Sequence, residues 1–154
     1  MKAVVAANED LVAEDGAILE GGCQCGAVRF RATGKPKWVA HCHCADCRRA
    51  SAAPFTTYAS FDAVNVAWTG AAPKSYASSP TVTRRFCETC GTPMSYESDG
   101  WAGEVHIFVA ALDDPEALQP RLHAYVVDQL SWIHTDDGLR RYHQTAAEGD
   151  PLPG

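Results

Sequence analysis

The seven cysteines of this chain fall into three tight clusters, and their spacing predicts metal binding. Thiols one or two residues apart do not easily pair with each other as disulfides, but they can converge on one ion. Four thiolates from the outer clusters and three from the middle one suggest one closed zinc site and one open zinc site. The clusters are Cys23-Gln24-Cys25, Cys42-His43-Cys44-Ala45-Asp46-Cys47 and Cys87-Glu88-Thr89-Cys90.

The outer clusters predict a closed, structural zinc site. Zinc takes four ligands in a tetrahedron, with zinc–sulfur distances of about 2.3 Å. The two pairs lie far apart in the chain, so a shared ion would tie its first strands to its middle, and binding would be coupled to folding. Free buried cysteines are the alternative. The predicted ligands are Cys23, Cys25, Cys87 and Cys90.

The middle cluster predicts an open site, because Cys42, Cys44 and Cys47 have no fourth cysteine left to join them. Three protein ligands and one exchangeable position form the layout of a catalytic zinc site. His41 or His43 could close the tetrahedron instead. In an extended approach, residues 42 and 44 point to one face and residues 41 and 43 to the other, which favours the open site.

Such a site is suited to a thiol substrate. Three thiolates leave a zinc centre with a net charge near −1, which makes it a poor generator of hydroxide but a good partner for an incoming thiolate. Without zinc, Cys44 could instead form a mixed disulfide with the same thiol. Arg48 and Arg49 follow the cluster and are predicted to bind a substrate carboxylate, although plain surface charge is the alternative.

The elements that must position these cysteines are predominantly short strands between Gly, Pro, Asp and Ser turns, which predicts one all-β domain. Helical turns are predicted at residues 46–50 and 114–118, and a short helix or turn at 136–142. Gly26 and Gly91 each follow a cysteine pair and should let the backbone curl. The predicted strands cover residues 28–31, 38–40, 55–61, 64–68, 82–86, 105–110 and 122–127, with a further strand from Met94.

Charge and composition limit the expected binding partners and cellular location. The net charge of −6 and the lack of a basic stripe argue against binding to nucleic acid or to an anionic membrane. No apolar run approaches the roughly 20 residues that span a bilayer, and the N-terminus lacks a signal-peptide pattern, so we expect a cytosolic protein with reduced thiols. His106 is expected to be a core histidine, and Trp101 and Trp132 packing residues.

The motifs resemble the glutathione-dependent formaldehyde-activating enzyme family, to which centromere protein V also belongs. The resemblance runs from about Gly21 to Tyr142. Its segments are Gly21-Gly22-Cys23-Gln24-Cys25-Gly26-Ala27-Val28-Arg29-Phe30, Cys42-His43-Cys44 through Cys47-Arg48-Arg49, Arg85-Phe86-Cys87 through Cys90-Gly91-Thr92, His106-Ile107-Phe108-Val109, Leu112-Asp113-Asp114-Pro115 and Ser131-Trp132-Ile133.

The resemblance implies a mainly β fold, the β-tent, built from several small antiparallel sheets with few short helices. It implies two zinc ions per chain, one structural and one linked with catalysis on Cys42, Cys44 and Cys47. It also implies an activity, the formation of a carbon–sulfur bond between glutathione and formaldehyde to give S-hydroxymethylglutathione. The expected domain covers residues 17–145, between tails at 1–16 and 146–154.

The sequence also leaves two other functions open. A non-enzymatic zinc module would have a coordinatively closed second site and no turnover. A thiol-transfer or redox protein would hold one zinc tightly and cycle Cys44 through a mixed disulfide with glutathione. The oligomeric state, the thiol and the aldehyde are left open by the sequence.

Overall fold

The computed structural model describes residues 16–153, and its strands form two sheets. The one α-helix in this described part, α1, spans Ala45–Ser51 and begins directly after Cys44 of the middle cluster. Short 3-10 turns connect several strands. The strands are β1 (Ile18–Gly22), β2 (Arg29–Thr33), β3 (Trp38–Cys42), β4 (Thr56–Asp62), β5 (Val66–Trp68), β6 (Lys74–Ser79), β7 (Val82–Phe86), β8 (Pro93–Ser98), β9 (Glu104–Phe108), β10 (Leu122–Ala124) and β11 (Arg140–Arg141).

The smaller sheet has three antiparallel strands in the order β1-β2-β5, and the larger has eight in the order β11-β10-β3-β4-β9-β8-β7-β6. All pairs in the larger sheet are antiparallel except those of β10, which runs parallel to both β3 and β11. The predicted mainly β fold with few short helices is confirmed.

The main hydrophobic core lies between the two sheets. Phe30 and Ala32 of β2 pack with the apolar side chains that β3, β4, β8 and β9 direct to the same cluster. Gly21 allows a close approach at this point, because a Cβ there would lie 2.3 Å from the backbone oxygen of Ala111. The large-sheet members include Val39, Ala59, Phe61, Met94, Val105 and Ile107.

Three predicted strands are shorter than expected. The strand predicted over residues 64–68 begins at Val66, because a 3-10 turn covers Ala63–Asn65. The strand predicted over residues 122–127 ends at Ala124, because Tyr125 takes a left-handed conformation (φ 56°) and a 3-10 turn follows. The strand predicted over 105–110 ends at Phe108, where another 3-10 turn begins. Strand β6 was not predicted, because all its residues are exposed and it carries no apolar alternation.

The other face of the large sheet carries a single row of side chains across six strands. Trp38 pairs with Ser60, Ser60 with His106, and His106 with Tyr96. Tyr96 pairs with Arg84, and Arg84 with Tyr76. Directly paired residues point to the same face of a sheet, so this row forms a continuous surface.

The two ends of the chain lie next to the predicted limits of the domain, residues 17 and 145. The predicted N-terminal tail, residues 1–16, lies outside the described residues apart from Gly16. At the other end, Leu152 donates a backbone hydrogen bond to Arg141 (2.8 Å), and Ala146 packs on a small apolar cluster. The limits of the domain stay a prediction. Within residues 16–153, no helix has the length and apolar character needed to cross a membrane.

Candidate active site

The four outer cysteines come together at the edge of the core. Cys23 and Cys25 lie in the turn between β1 and β2, and Cys87 and Cys90 lie between β7 and β8. Their sulfurs all lie within 4.8 Å of one another, with Cys23–Cys25 at 3.5 Å and Cys25–Cys87 at 3.8 Å. A tetrahedron with zinc–sulfur distances of about 2.3 Å has sulfur–sulfur edges of about 3.8 Å, so this donor set fits a zinc ion.

The turns that present these cysteines depend on glycine. Gly26 and Gly91 have φ values of 80° and 78°, as predicted for residues that follow a ligand pair. Each closes its turn by donating to the carbonyl of the first cysteine, at 3.0 Å to Cys23 and 2.8 Å to Cys87. The Val28 amide also donates to the Cys23 sulfur at 3.2 Å, which stabilises a thiolate there.

The middle cysteines form a second group, at the junction of β3 and α1. Cys42 ends β3, Cys44 caps α1 by accepting from the Cys47 amide (3.3 Å), and Cys47 is buried on the first turn. The three sulfurs lie within 4.8 Å of one another. All seven cysteines are free thiols. The described residues therefore contain two groups of cysteines that could hold a metal ion.

The neighbouring histidines point away from the middle sulfurs. His43 is fully buried and its Nε2 lies 2.9 Å from Nδ1 of His123, while His41 Nδ1 lies 2.8 Å from the Thr57 hydroxyl. This is the alternation expected of an extended segment, with cysteines on one face and histidines on the other. Burial and repulsion from His123 lower the pKa of both imidazoles to about 4, so both are neutral at pH 7.

A cavity of about 580 Å³ opens over the middle cysteines. Five members of the row that crosses the large sheet line it together with the three cysteines, so aromatic side chains lie close to the sulfurs. His106 belongs to this lining, although it is buried as expected for a core histidine, and it lies 3.3 Å from Glu104. Trp101 also lines the cavity, whereas Trp132 is exposed. The aromatic lining is Trp38, Tyr58, Tyr76, Tyr96, Trp101 and Tyr125.

Arg84 is the buried cation of this cavity. Its guanidinium donates to the Cys47 sulfur (3.8 Å), the Tyr58 hydroxyl (3.4 Å) and the Ser78 hydroxyl (3.3 Å). It also lies over the Tyr96 ring, 5.0 Å from the centroid, where a cation–π contact holds it in place. A positive charge is therefore fixed beside the thiolate group.

The electrostatics of the cluster follow from these contacts. Hydrogen bonds from the Cys42 and Cys44 thiols lower the pKa of Cys47 to about 2, and Arg84 acts in the same direction. The same thiol contacts, together with burial, raise the pKa of Cys42. Burial and the charge of Cys47 raise the pKa of Tyr58, which stays protonated at neutral pH. The negative charge of the cluster is therefore favoured on Cys47, next to Arg84.

The two arginines predicted to bind substrate separate in the structure. Arg49 lines the cavity above the cysteines. Arg48 does not line it; its Nε donates to the carbonyl of His43 (3.3 Å), and it borders a shallower depression with Trp132. Of the pair, Arg49 is therefore placed to meet a molecule in the cavity.

Sequence reasoning missed Arg84 and the aromatic lining. A signal for Arg84 was present, because Val82, Arg84 and Phe86 share one face of β7 and a charged residue between two apolar ones on one face is a candidate for a buried charge. Tyr58, Tyr96 and Trp101 carried no such signal. They come together only through the pairing of strands that are distant in the chain.

Comparison with known proteins places this site in a family. The model of the family described as glutathione-dependent formaldehyde-activating enzyme matches residues 18–128, which include all seven cysteines. The chain belongs to this family. The family resemblance seen in the sequence is thereby confirmed, and membership suggests glutathione-dependent formaldehyde activation.

Two similar proteins bear on the family and on the fold. A Halomonas elongata protein named "Putative glutathione-dependent formaldehyde-activating enzyme" is 30% identical over 129 residues, which cover 77% of this chain and 82% of that protein. A crystal structure of a Rhodobacter sphaeroides protein superposes with a TM-score of 0.51 at 23% identity, covering 66% of this chain and 92% of that one. The second likeness concerns the fold alone.

Proposed function

We propose that the protein is a zinc-dependent carbon–sulfur lyase that adds glutathione, or a similar small thiol, to formaldehyde or another aldehyde. The reaction forms a bond between the thiol sulfur and the carbonyl carbon, and the thiol proton ends on the carbinol oxygen of the S-hydroxymethyl adduct. One observation carries the proposal: the three middle thiols converge at the bottom of a cavity that has room for a tripeptide and holds a buried cation.

Zinc is the ion that suits both cysteine groups, with two ions per chain. Cys23, Cys25, Cys87 and Cys90 would hold the structural ion, and Cys42, Cys44 and Cys47 the other. When bound to the three cysteines, zinc supplies an open coordination position that favours a soft thiolate ligand. The middle cysteines fit a zinc ion because their sulfurs accept hydrogen bonds from a backbone amide and a guanidinium, as is typical of zinc–cysteine sites.

The chain's own side chains have separate tasks in this proposal. Arg84 offsets the negative charge that three cysteines and an incoming thiolate would bring together. Arg49 is placed to bind a substrate carboxylate at the cavity wall, and we retain Arg48 as a second candidate. The Tyr58 hydroxyl, kept protonated by its surroundings, can donate a proton to the carbinol oxygen as it forms and then regain the proton that the thiol releases.

The Cys44→Ser variant tests the proposal. The cysteine groups of wild-type protein should hold two zinc ions per chain, and those of the variant one, because a ligand of the open site is lost. Thiols add to formaldehyde without help, so the rate to measure is the exchange between free and S-hydroxymethylated glutathione at equilibrium, by exchange NMR. Wild type should accelerate this exchange over buffer, and the variant should not.

Each outcome has a definite meaning. A variant that keeps both zinc ions and the full exchange rate would refute the assignment of the middle site. Two zinc ions in wild type with no acceleration for any aldehyde would refute the enzyme and favour a zinc-binding module. The variant's melting temperature, and the single zinc it retains, control for a general failure to fold.

A further inference from the structure

A row of polar side chains crosses the large sheet on the face opposite the cavity. His41 pairs directly with Thr57 of β4 and with His123 of β10, and His123 pairs in turn with Arg141 of β11. Both sequence neighbours of His41, Ala40 and Cys42, line the cavity. Because side chains alternate along a strand, His41 points to the other side.

The loop before β11 brings a carboxylate to this row. The Asp137 carboxylate lies 2.9 Å from Nε2 of His123, and one of its oxygens accepts from the Leu139 amide at 3.1 Å. One potential ligand atom from each of His41, His123 and Asp137 lies within 4.8 Å of the others. His123 is fully buried, His41 is partly buried and the Asp137 side chain is 36% exposed, which leaves a path from solvent.

The second nitrogen of each imidazole has its own partner. Nδ1 of His41 lies 2.8 Å from the Thr57 hydroxyl, and Nδ1 of His123 lies 2.9 Å from Nε2 of His43. A histidine that binds a metal through one nitrogen almost always donates a hydrogen bond through the other. If each Nδ1 donates to its partner, the Nε2 atom of each imidazole carries a lone pair, and that of His123 faces Asp137.

With these tautomers a cation must lie between His123 and Asp137, because a lone pair and a carboxylate at 2.9 Å repel each other; with the other tautomer of His123, its Nε2–H donates to Asp137 directly. A proton satisfies that pair alone and leaves Nε2 of His41 with no hydrogen-bond partner among the described residues. A metal ion engages all three groups at once. Strand pairing brings the His41 ring close enough to take part, with its centroid 4.9 Å from that of His123.

We propose that His41, His123 and Asp137 form a third metal site, which binds a divalent transition ion with water in its remaining positions. Two imidazoles and one carboxylate suit zinc, nickel or cobalt rather than magnesium or calcium, which prefer oxygen ligands alone. The site is separate from the cysteine groups and does not depend on the reaction proposed above.

An ion at this position would join three segments that are distant in the chain. It would link β3, β10 and the loop that carries Asp137, directly behind the segment that presents Cys42 and Cys44. The Asp137 loop also lies beyond residue 128, where the family match ends. The expected effect is a metal-dependent gain in the thermal stability of the C-terminal region.

Cobalt titration of zinc-loaded protein tests the site. With the cysteines occupied by zinc, one further equivalent of cobalt should bind, with visible d–d bands and no near-ultraviolet charge-transfer band from a thiolate. In Asp137→Asn and in His123→Gln the affinity for this equivalent should fall at least about tenfold. The matched control is Asp136→Asn, an exposed carboxylate next in sequence, which should bind cobalt as wild type does.

Three results would overturn the proposal. These are the absence of any saturable third equivalent, a third equivalent that carries a thiolate band, and equal affinities in the Asp137 and Asp136 variants. The first result would leave a proton as the cation between His123 and Asp137. Circular dichroism and the retention of zinc at both cysteine groups show that a variant is folded. We expect Asp137→Asn to fold like wild type, because the Asp137 side chain is partly exposed.

Discussion

Replacing Arg84 by methionine should weaken metal binding at the middle cysteines and leave the other cysteine group unchanged. Arg84 lies 3.8 Å from the Cys47 sulfur and is 6% exposed. Methionine keeps the unbranched apolar stem of arginine but removes the charge and the guanidinium that lies over the Tyr96 ring. The change therefore isolates the electrostatic contribution of the guanidinium to the site.

The size of the effect follows from that distance. A unit charge pair at 3.8 Å and an effective dielectric constant of about 20 interacts by about 4 kcal/mol. The cavity opens to water, which screens the pair, so we take half of this value, about 2 kcal/mol. Since about 1.4 kcal/mol corresponds to a tenfold change, zinc affinity at the open site should fall about 30-fold.

Chelator competition measures this change. The zinc ion of the open site is the one that Cys44→Ser lacks. In Arg84→Met, the chelator concentration that removes this ion should be about 30-fold lower than in wild type. Arg84→Lys should recover much of the loss, because it restores the charge without the planar fork.

The matched control for this experiment is Arg85→Met. Arg85 follows on the same strand, points to the other face and pairs with Glu97 at 2.6 Å. Its loss should leave both zinc affinities unchanged. An Arg84→Met affinity within threefold of wild type, or an equal loss in Arg85→Met, would refute the electrostatic argument.

Two further predictions concern stability. Ala52 ends α1 with φ 53°, where an L-residue is strained by about 1–2 kcal/mol, so Ala52→Gly should stabilise the protein by about 0.5–1 kcal/mol after the entropy cost of glycine in the unfolded chain. Thermal denaturation checks this; Ala53→Gly, at a residue without a positive φ, should destabilise, and a lower melting temperature for Ala52→Gly would contradict it. The second prediction concerns acid. Although burial opposes it, hydrogen bonds from three neighbouring side chains lower the pKa of Glu104 from 4.5 to about 2. A depressed folded pKa stabilises above the unfolded pKa, so up to about 3 kcal/mol should be lost as the pH falls from about 4.5 toward 2. Urea unfolding as a function of pH should show this loss in wild type and in the exposed control Glu116→Gln but not in Glu104→Gln; parallel curves for all three would reject the assignment.

The sequence predicted the cysteine groups because their information is local. Cys42, Cys44 and Cys47 lie within one turn of chain, and glycines mark the turns at the outer cysteines. The family resemblance predicted the mainly β fold for the same reason, since it rests on short motifs. The sequence also predicted that His41 and His43 would oppose the cysteines, from strand alternation alone.

The cavity and the third metal site could not be predicted in this way. The Arg84 guanidinium meets Cys47 only because β7, β8, β9 and β4 pair in one particular register. Likewise, Asp137 meets His123 through a loop that has no regular pattern of its own. Strand β10 also ended earlier than predicted, because the left-handed Tyr125 is a property of the folded backbone that propensity does not encode.

The cross-strand row from Trp38 to Tyr76 has a consequence for how such proteins diversify. Each member comes from a different strand, and the sequence neighbours of Ser60 and His106 are apolar residues of the main core on the reverse side. A replacement at Tyr76, which is 46% exposed and lines the chamber, reshapes it at one place and leaves the buried core unchanged. Single substitutions can therefore change which substrate the cavity accepts, while the cysteine groups and the two sheets stay the same.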